Sequence, residues 1–165
     1  MAKQNRRLLS WRIILFFLLA LSIIAIDQAT KAWIEANVPL GGTYWGSGFL
    51  RIIHIQNTGA SFGLFQGYTP VLAVISSLGA LVILFAAFMA DRIFPFIDNK
   101  TGMASLGLIL GGTIGNLIDR VSQGYVTDFI YLSFWPTFNV ADSSVVVGVI
   151  ILGIAVLAQI QSEQA

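Results

Sequence analysis

The stretch GYVTDFIYLSFWPTFNVADSS, residues 124–144, places two isolated acids, Asp128 and Asp142, beside segments that are otherwise apolar or aromatic. Asp128 lies in a β-branched and aromatic context, VTDFIYLSF, which predicts an extended segment. Asp142 precedes two serines and a long apolar run, which predicts the start of a helix. An ionisable group at the centre of a membrane helix costs about 2.5–3.5 kcal/mol on insertion scales, so both acids are candidates for function.

The composition is that of a membrane protein. Of the 165 residues, 56% are hydrophobic and 10% are charged, and the mean hydropathy is +0.82, which is too apolar for a water-soluble domain of this size. The net charge of +1, with no strongly basic region after the first dozen residues, argues against a nucleic-acid partner. The absence of cysteine excludes disulfides and a cysteine nucleophile, and a single histidine, His54, disfavours a zinc site. We expect neither a metal nor a cofactor.

Four apolar segments predict membrane-spanning helices at about residues 11–27, 70–90, 102–118 and 142–160 of a single integral-membrane domain. The basic N-terminus and the first apolar run could also be a secretory signal peptide, but three further apolar segments favour a first span. Residues 49–56, FLRIIHIQ, are β-branched and flanked by glycines, which predicts a strand or hairpin outside the lipid. The predicted fold is therefore an all-α membrane protein with four transmembrane helices and a small β element on the outer face.

The distribution of lysine and arginine predicts the orientation of the chain. Four of the nine basic residues precede the first span and two lie between the second and third spans, which leaves three in the other segments. Cytoplasmic loops carry the excess of basic residues, so we expect both termini in the cytoplasm. Asp128 and Asp142 then lie near the outer face of the membrane.

The third span carries small residues at every fourth position, Gly107, Gly111 and Gly115, and Asp119 is the next step of this stripe. Such spacing lets helices approach closely, so we expect Asp119 to point into the helix bundle. Asn116 and Arg120 form a second pair four residues apart. Arg120 could neutralise an acid or hold a substrate carbonyl, and a purely structural ion pair explains it equally well.

Two further motifs are candidates for the site. Asp27 and Lys31 have the spacing of an ion pair that anchors the end of the first span. Asn57 begins the run NTGASFG, in which Gly59 and other small residues would let the backbone come close to a ligand. Turn formation alone would also explain this run.

Asp128 and Asp142 together suggest acid–base chemistry. A helix N-terminus favours the ionised form of Asp142, whereas apolar packing around Asp128 would favour its protonated form. Two carboxyl groups that share one proton can activate a water molecule, as in aspartic proteases. A simple N-cap role for Asp142 remains the alternative.

Five blocks of the sequence together resemble the bacterial lipoprotein signal peptidase family, also called signal peptidase II. They are DQATK at 27–31, NTGASFG at 57–63, GGTIGNLIDR at 111–120, VTDF at 126–129 and FNVADSS at 138–144. Their order, the chain length and the four predicted spans are also similar to that family. The stretch between the two acids is short for the family, which leaves the behaviour of that loop and the breadth of substrates open.

The resemblance implies a membrane aspartic endopeptidase that removes the signal peptide from diacylglyceryl-modified prolipoproteins, cutting on the amino side of the lipidated cysteine. It implies that Asp128 and Asp142 are catalytic, and that Asp27 and Lys31 are structural. The implied substrate-binding and supporting residues are Asn57, Gly59, Asn116, Asp119, Arg120 and Asn139. We expect a monomer in the bacterial cytoplasmic (inner) membrane, with prolipoproteins and membrane lipid as partners. A small proton-coupled transporter and a non-catalytic scaffold are the alternatives, although no repeated halves typical of transporters are visible.

Overall fold

The computed structural model describes residues 2–60, 64–95 and 97–164, and the side chains of residues 11–60, 64–95 and 97–161. Four of its helices are long and apolar enough to cross a membrane, over Trp11–Asn37, Thr69–Phe88, Lys100–Ser122 and Val140–Gln161. The helices are α1 (Ala2–Asn37), α2 (Thr69–Phe88), α3 (Ala90–Ile93), α4 (Lys100–Ser122) and α5 (Val140–Gln164), and the strands are β1 (Thr43–Ser47), β2 (Leu50–Asn57), β3 (Val126–Leu132) and β4 (Trp135–Phe138). The predicted fold class is confirmed.

Helix α4 lies at the centre of the helix bundle, in contact with α1, α2 and α5. In the most apolar 18-residue stretch of α4, 56% of the residues are buried, against 11–17% in the corresponding stretches of the other three spans. The glycine stripe explains this position, because a side chain on Gly107 would meet the carbonyl oxygen of Phe16 at 2.6 Å and one on Gly111 would meet that of Ala20 at 2.8 Å. The stripe is therefore the packing face, as predicted.

The four strands form one antiparallel sheet in the order β1-β2-β3-β4. Strand β3 leaves the end of α4 after a turn at Gly124, where φ is +80°, and β4 leads directly into α5. In the register of β2 and β3, Ile55 faces Asp128 and Asn57 faces Val126. The sheet therefore holds Asn57 and Asp128 close together above the ends of α4 and α5.

The helix that carries the first predicted span does not end near residue 27. Helix α1 continues to Asn37, although Asp27 and Lys31 both lie in its interior. Their exposed fractions are 0% and 2%, and Lys31 Nζ lies 2.7 Å from Asp27 Oδ2. Because these charges pair with each other and with neighbouring helices, the helix does not need to end where they occur.

Candidate active site

Asp128 and Asp142 reach one small cavity from different elements. Asp128 is the third residue of β3 and is 2% exposed. Asp142 lies in the first turn of α5 and is half-buried. The cavity has a volume of about 110 Å³, and it is also lined by the predicted residues Asn57, Asn116 and Arg120, together with Ala60, Val126 and Thr137. Residues 61–63 of the predicted NTGASFG block lie outside the described residues.

Asn139 links the two acids. Its Nδ2 donates a hydrogen bond to Asp128 Oδ1 at 2.8 Å, and its Oδ1 accepts one from the backbone N–H of Asp142 at 2.9 Å. In return, Asp142 Oδ2 accepts a hydrogen bond from the backbone N–H of Asn139 at 3.3 Å. This reciprocal cap satisfies the N–H groups of Asn139 and Asp142 at the start of α5. It therefore fixes Asp142 and Asp128 relative to the same residue.

Asn57 holds the second oxygen of Asp128. Its Nδ2 donates to Asp128 Oδ2 at 3.0 Å, while its Oδ1 accepts a hydrogen bond from the backbone N–H of Gly59 at 2.9 Å. A side chain at position 59 would meet the carbonyl oxygen of Leu64 at 2.6 Å, so this close approach requires glycine. Gly59 thus acts on the cavity through Asn57, and it does not line the cavity itself.

Asn116 reaches Asp142 from the last turns of α4. Its Nδ2 donates to Asp142 Oδ1 at 2.7 Å. Its Oδ1 accepts hydrogen bonds from Asn139 Nδ2 at 3.0 Å and from Lys31 Nζ at 2.9 Å. Both polar ends of this amide are therefore used, and each catalytic candidate is hydrogen-bonded to two asparagines.

The pKa of Asp128 is raised from its ordinary value of 3.8 to about 7. Burial is the largest cause, and the nearby charge of Asp142 adds to it. The hydrogen bonds from Asn57 and Asn139 and the charge of Lys31 oppose this rise in pKa. A carboxyl group in this environment can hold a proton near neutral pH and release it during a reaction.

Arg120 lines the cavity but forms no ion pair with another described side chain. Its Nη1 lies 3.4 Å from Ser76 Oγ on α2, and its Nε is buried without a hydrogen-bond partner among the described residues. A buried donor without a partner is costly unless something else supplies an acceptor. The predicted role of Arg120 in holding a carbonyl oxygen is compatible with this geometry.

A buried ionic cluster lies behind the cavity. Lys31 Nζ lies 2.7 Å from Asp27 Oδ2 and 2.9 Å from Asp119 Oδ2. Gln28 also belongs to this cluster, since its Nε2 donates to Asp119 Oδ1 at 2.9 Å. Gln28 was not among the residues predicted from the sequence, although it lies next to Asp27 in the block DQATK. Among the described residues, no three His, Cys, Asp or Glu side chains are grouped as metal ligands would be.

Two larger cavities open beside the small one. A polar cavity of about 280 Å³ is lined mainly by Gln56, Asn57, Thr58, Gln66, Asp128 and Thr137. A mostly apolar groove of about 460 Å³ runs from Asp142 along α5 to Val146 and Val147, under Phe134 and Trp135 of the β3–β4 hairpin. Thr137, which the sequence analysis did not select, lines all three spaces. The candidate site thus has a polar side at Asp128 and an apolar side at Asp142.

Comparisons with known proteins identify the family of this chain. The family model for signal peptidase (SPase) II matches residues 19–158. A lipoprotein signal peptidase of Dehalococcoides mccartyi is 47% identical over 137 residues, covering 83% of this chain and 85% of the relative. One of Moorella thermoacetica is 43% identical over 143 residues, covering 83% and 89%. A solved bacterial membrane enzyme structure has a TM-score of 0.79 at 29% identity, and the match covers 89% of this chain and 90% of that one.

The family match covers most of the chain, including every residue of the cavity. Four apolar helices and these bacterial relatives make the chain a multi-pass bacterial membrane protein. It is a peptidase that belongs to the signal peptidase II family.

Proposed function

We propose that this peptidase is an aspartic endopeptidase in which Asp128 and Asp142 activate water between them. The observation that carries the proposal is that both acids line one small cavity, where each is fixed by two asparagine side chains. A pKa of about 7 lets Asp128 exchange a proton at neutral pH. The dyad titrates as a pair, so the shared proton belongs to both acids.

The chemistry follows from this pair of carboxyl groups. The ionised acid takes a proton from water as the water oxygen attacks the scissile carbonyl carbon, and the protonated acid donates its proton to the carbonyl oxygen. A proton then passes to the amide nitrogen as the carbon–nitrogen bond breaks, which gives a new carboxyl end and a free amine. Arg120 holds a substrate carbonyl with its unpartnered Nε, and Asn57, Asn116 and Asn139 keep the dyad in place.

The proposed substrate is a prolipoprotein whose signal peptide still precedes a diacylglyceryl-modified cysteine, cut on the amino side of that cysteine. The polar cavity at Asp128 offers hydrogen-bonding side chains to a peptide backbone. The groove at Asp142 suits an acyl chain. The polar groups of Asp142 and Ser143 are already hydrogen-bonded within the protein, so the groove offers few hydrogen-bonding groups to a peptide backbone. The relatives named above are described as lipoprotein signal peptidases, so a transporter or a scaffold is not favoured.

In the proposed topology, residues 1–165 form one integral-membrane domain that works as a monomer in the cytoplasmic membrane. Both termini lie in the cytoplasm, and the cavity opens near the outer face. The distribution of basic residues supports this orientation. The lipid anchor of the substrate would then hold the scissile bond at the depth of the dyad.

The test is cleavage by the purified protein in liposomes, with the products identified by mass spectrometry. A diacylglyceryl-modified prolipoprotein should yield a product that begins at the modified cysteine, and the same polypeptide without the lipid should be cut poorly. A well-folded protein that cuts neither substrate would contradict the proposed function.

A further inference from the structure

Each carboxyl group of the cluster behind the cavity also holds the backbone immediately before one acid of the dyad. Asp27 Oδ1 accepts a hydrogen bond from the N–H of Ala141 at 2.9 Å, and Ala141 precedes Asp142. Asp119 Oδ2 accepts one from the N–H of Thr127 at 3.2 Å, and Thr127 precedes Asp128. Two separate acids on α1 and α4 therefore anchor the two segments that carry the dyad.

Lys31 joins these two anchors. Its ammonium group donates to Asp27 Oδ2 at 2.7 Å, to Asp119 Oδ2 at 2.9 Å and to Asn116 Oδ1 at 2.9 Å. These contacts use all three protons of an ammonium group. The side chain is 2% exposed, so water cannot substitute for any of the three partners. One cation thus sets the distance between the two anchors.

The same contact fixes the direction of the Asn116 amide. Asn116 Oδ1 faces the ammonium group of Lys31 and the Nδ2 of Asn139. A flipped amide would place its NH₂ group against two donors, which is unfavourable. With Lys31 present, the NH₂ group of Asn116 must face Asp142 Oδ1.

We propose that Lys31 is a positioning residue for peptide hydrolysis, which sets the separation of Asp128 and Asp142 through Asp27, Asp119 and Asn116. This inference rests on the proposed function of the dyad. It gives Asp27 and Lys31 a role in the reaction, beyond the structural role that the sequence suggested. A cation that only stabilised the fold could be replaced, together with one acid, by neutral residues at little cost to turnover.

The first variant is Lys31→Met. It removes a positive charge that lowers the pKa of Asp128, so the pKa of Asp128 should rise. It also leaves Asp27 and Asp119 without their common partner. The other charged groups around the dyad, Arg120 and Asp142, stay in place. We expect kcat to fall by about 100-fold. In a plot of kcat against pH, the decrease on the alkaline side should move to higher pH. A purely structural lysine would lower the amount of folded enzyme and leave kcat of the folded fraction close to that of the parent.

The second variant, Lys31→Met with Asp27→Asn, keeps the net charge of the cluster and removes two buried charges, so it guards against loss of folding. Its kcat should fall by about 100-fold, while KM changes less than about threefold because the substrate contacts remain. The matched control is Arg12→Met with Asp98→Asn, which removes the ion pair of α1 at 2.5 Å outside this cluster. This control should keep parental kinetics.

A folded Lys31→Met, Asp27→Asn protein with kcat within about threefold of the parent would overturn the positioning role. Hydrogen exchange at the amides of Thr127 and Ala141 tests the proposal without measuring turnover. Both amides should lose protection from exchange in Lys31→Met, and retained protection would count against the proposal. Cleavage of a diacylglyceryl-modified prolipoprotein by the parent protein is a separate experiment, and it tests the proposed function itself.

Discussion

Among single residues, Asp128 gives the protein a pH dependence whose direction follows from its environment. Its pKa of about 7 in the folded protein lies above the ordinary value of 3.8 that it regains on unfolding. Between these values the folded state binds more protons than the unfolded state. The free energy of unfolding contributed by Asp128 is therefore fully present below pH 3.8 and is lost as the pH rises through about 7.

The first prediction follows from the direction of this pH dependence. Because the reaction requires one protonated carboxyl group, kcat should fall as the pH rises through about 7. Thermal stability in detergent should fall over the same interval. Activity against a lipidated prolipoprotein and the unfolding temperature, both measured from pH 5 to pH 9, check this expectation. A constant kcat between pH 6 and pH 9 would show that the dyad does not lose its shared proton in this interval.

At the scale of helices, the contact between α4 and α5 determines where Asn116 and Asp142 meet. Gly112 faces the start of α5, and a side chain there would collide with the carbonyl oxygen of Ala141, with Ser144 Oγ and with Val145 Cγ2. Backbone atoms are among these neighbours, so they cannot move aside without shifting α5. Even a methyl group at this position should separate the two helices.

The second prediction is that Gly112→Ala lowers kcat by about 100-fold, because a displacement of the order of 1 Å at the reacting groups has that effect. Gly79→Ala on α2 is the matched control, since no atom lies within 4 Å of an added side chain there. Alanine favours a helix over glycine, so the control should keep parental activity with equal or greater thermal stability. Equal activity of both variants would show that the close approach of α4 and α5 does not position the dyad.

The helices and strands were largely predictable because their patterns are local. Hydropathy gave the four spans, and the β-branched run gave the strand β2. The end of α1 was not predictable in this way, because whether Asp27 and Lys31 end a helix depends on partners supplied by α4 and α5. Strand β4 was missed because its four residues, WPTF, carry no strand pattern and are defined by pairing with β3.

The candidate site was predictable to a similar degree. Motif blocks made candidates of Asp128, Asp142, Asn57, Asn116, Arg120 and Asn139, and the structure brings these residues together. The partners of these residues were not predictable, since they lie far apart along the chain. Thr127 Oγ1, for example, donates to Glu35 Oε1 on α1, and no spacing in the sequence connects these two positions.

For the whole molecule, the groove along α5 connects the dyad to the membrane. Val146 and Val147 lie in a membrane-spanning helix and are 53% and 47% exposed, so lipid covers them when no substrate is bound. An acyl chain gains little hydrophobic energy by moving from lipid into this groove. Its benefit to the reaction would therefore be orientation of the attached cysteine relative to Asp142.

The third prediction concerns this groove. In liposomes, the parent should cleave a substrate with long acyl chains about 10-fold faster than one with very short chains, and Val147→Trp should remove most of this difference by filling the groove. Val149→Trp is the control, because Val149 is 53% exposed on the same helix and does not line the groove. If Val147→Trp kept an undiminished preference for long chains, the acyl chain would not occupy this groove.

The most direct measurement of the central claim is single-turnover cleavage of a diacylglyceryl-modified prolipoprotein by the parent, Asp128→Asn and Asp142→Asn. Asp91→Asn in α3 serves as the control for loss of an acid outside the site. Both dyad variants should fold and bind substrate, yet lose at least about 1,000-fold in rate, while the control matches the parent. A folded Asp128→Asn or Asp142→Asn protein that cuts at near-parental rate would contradict the dyad.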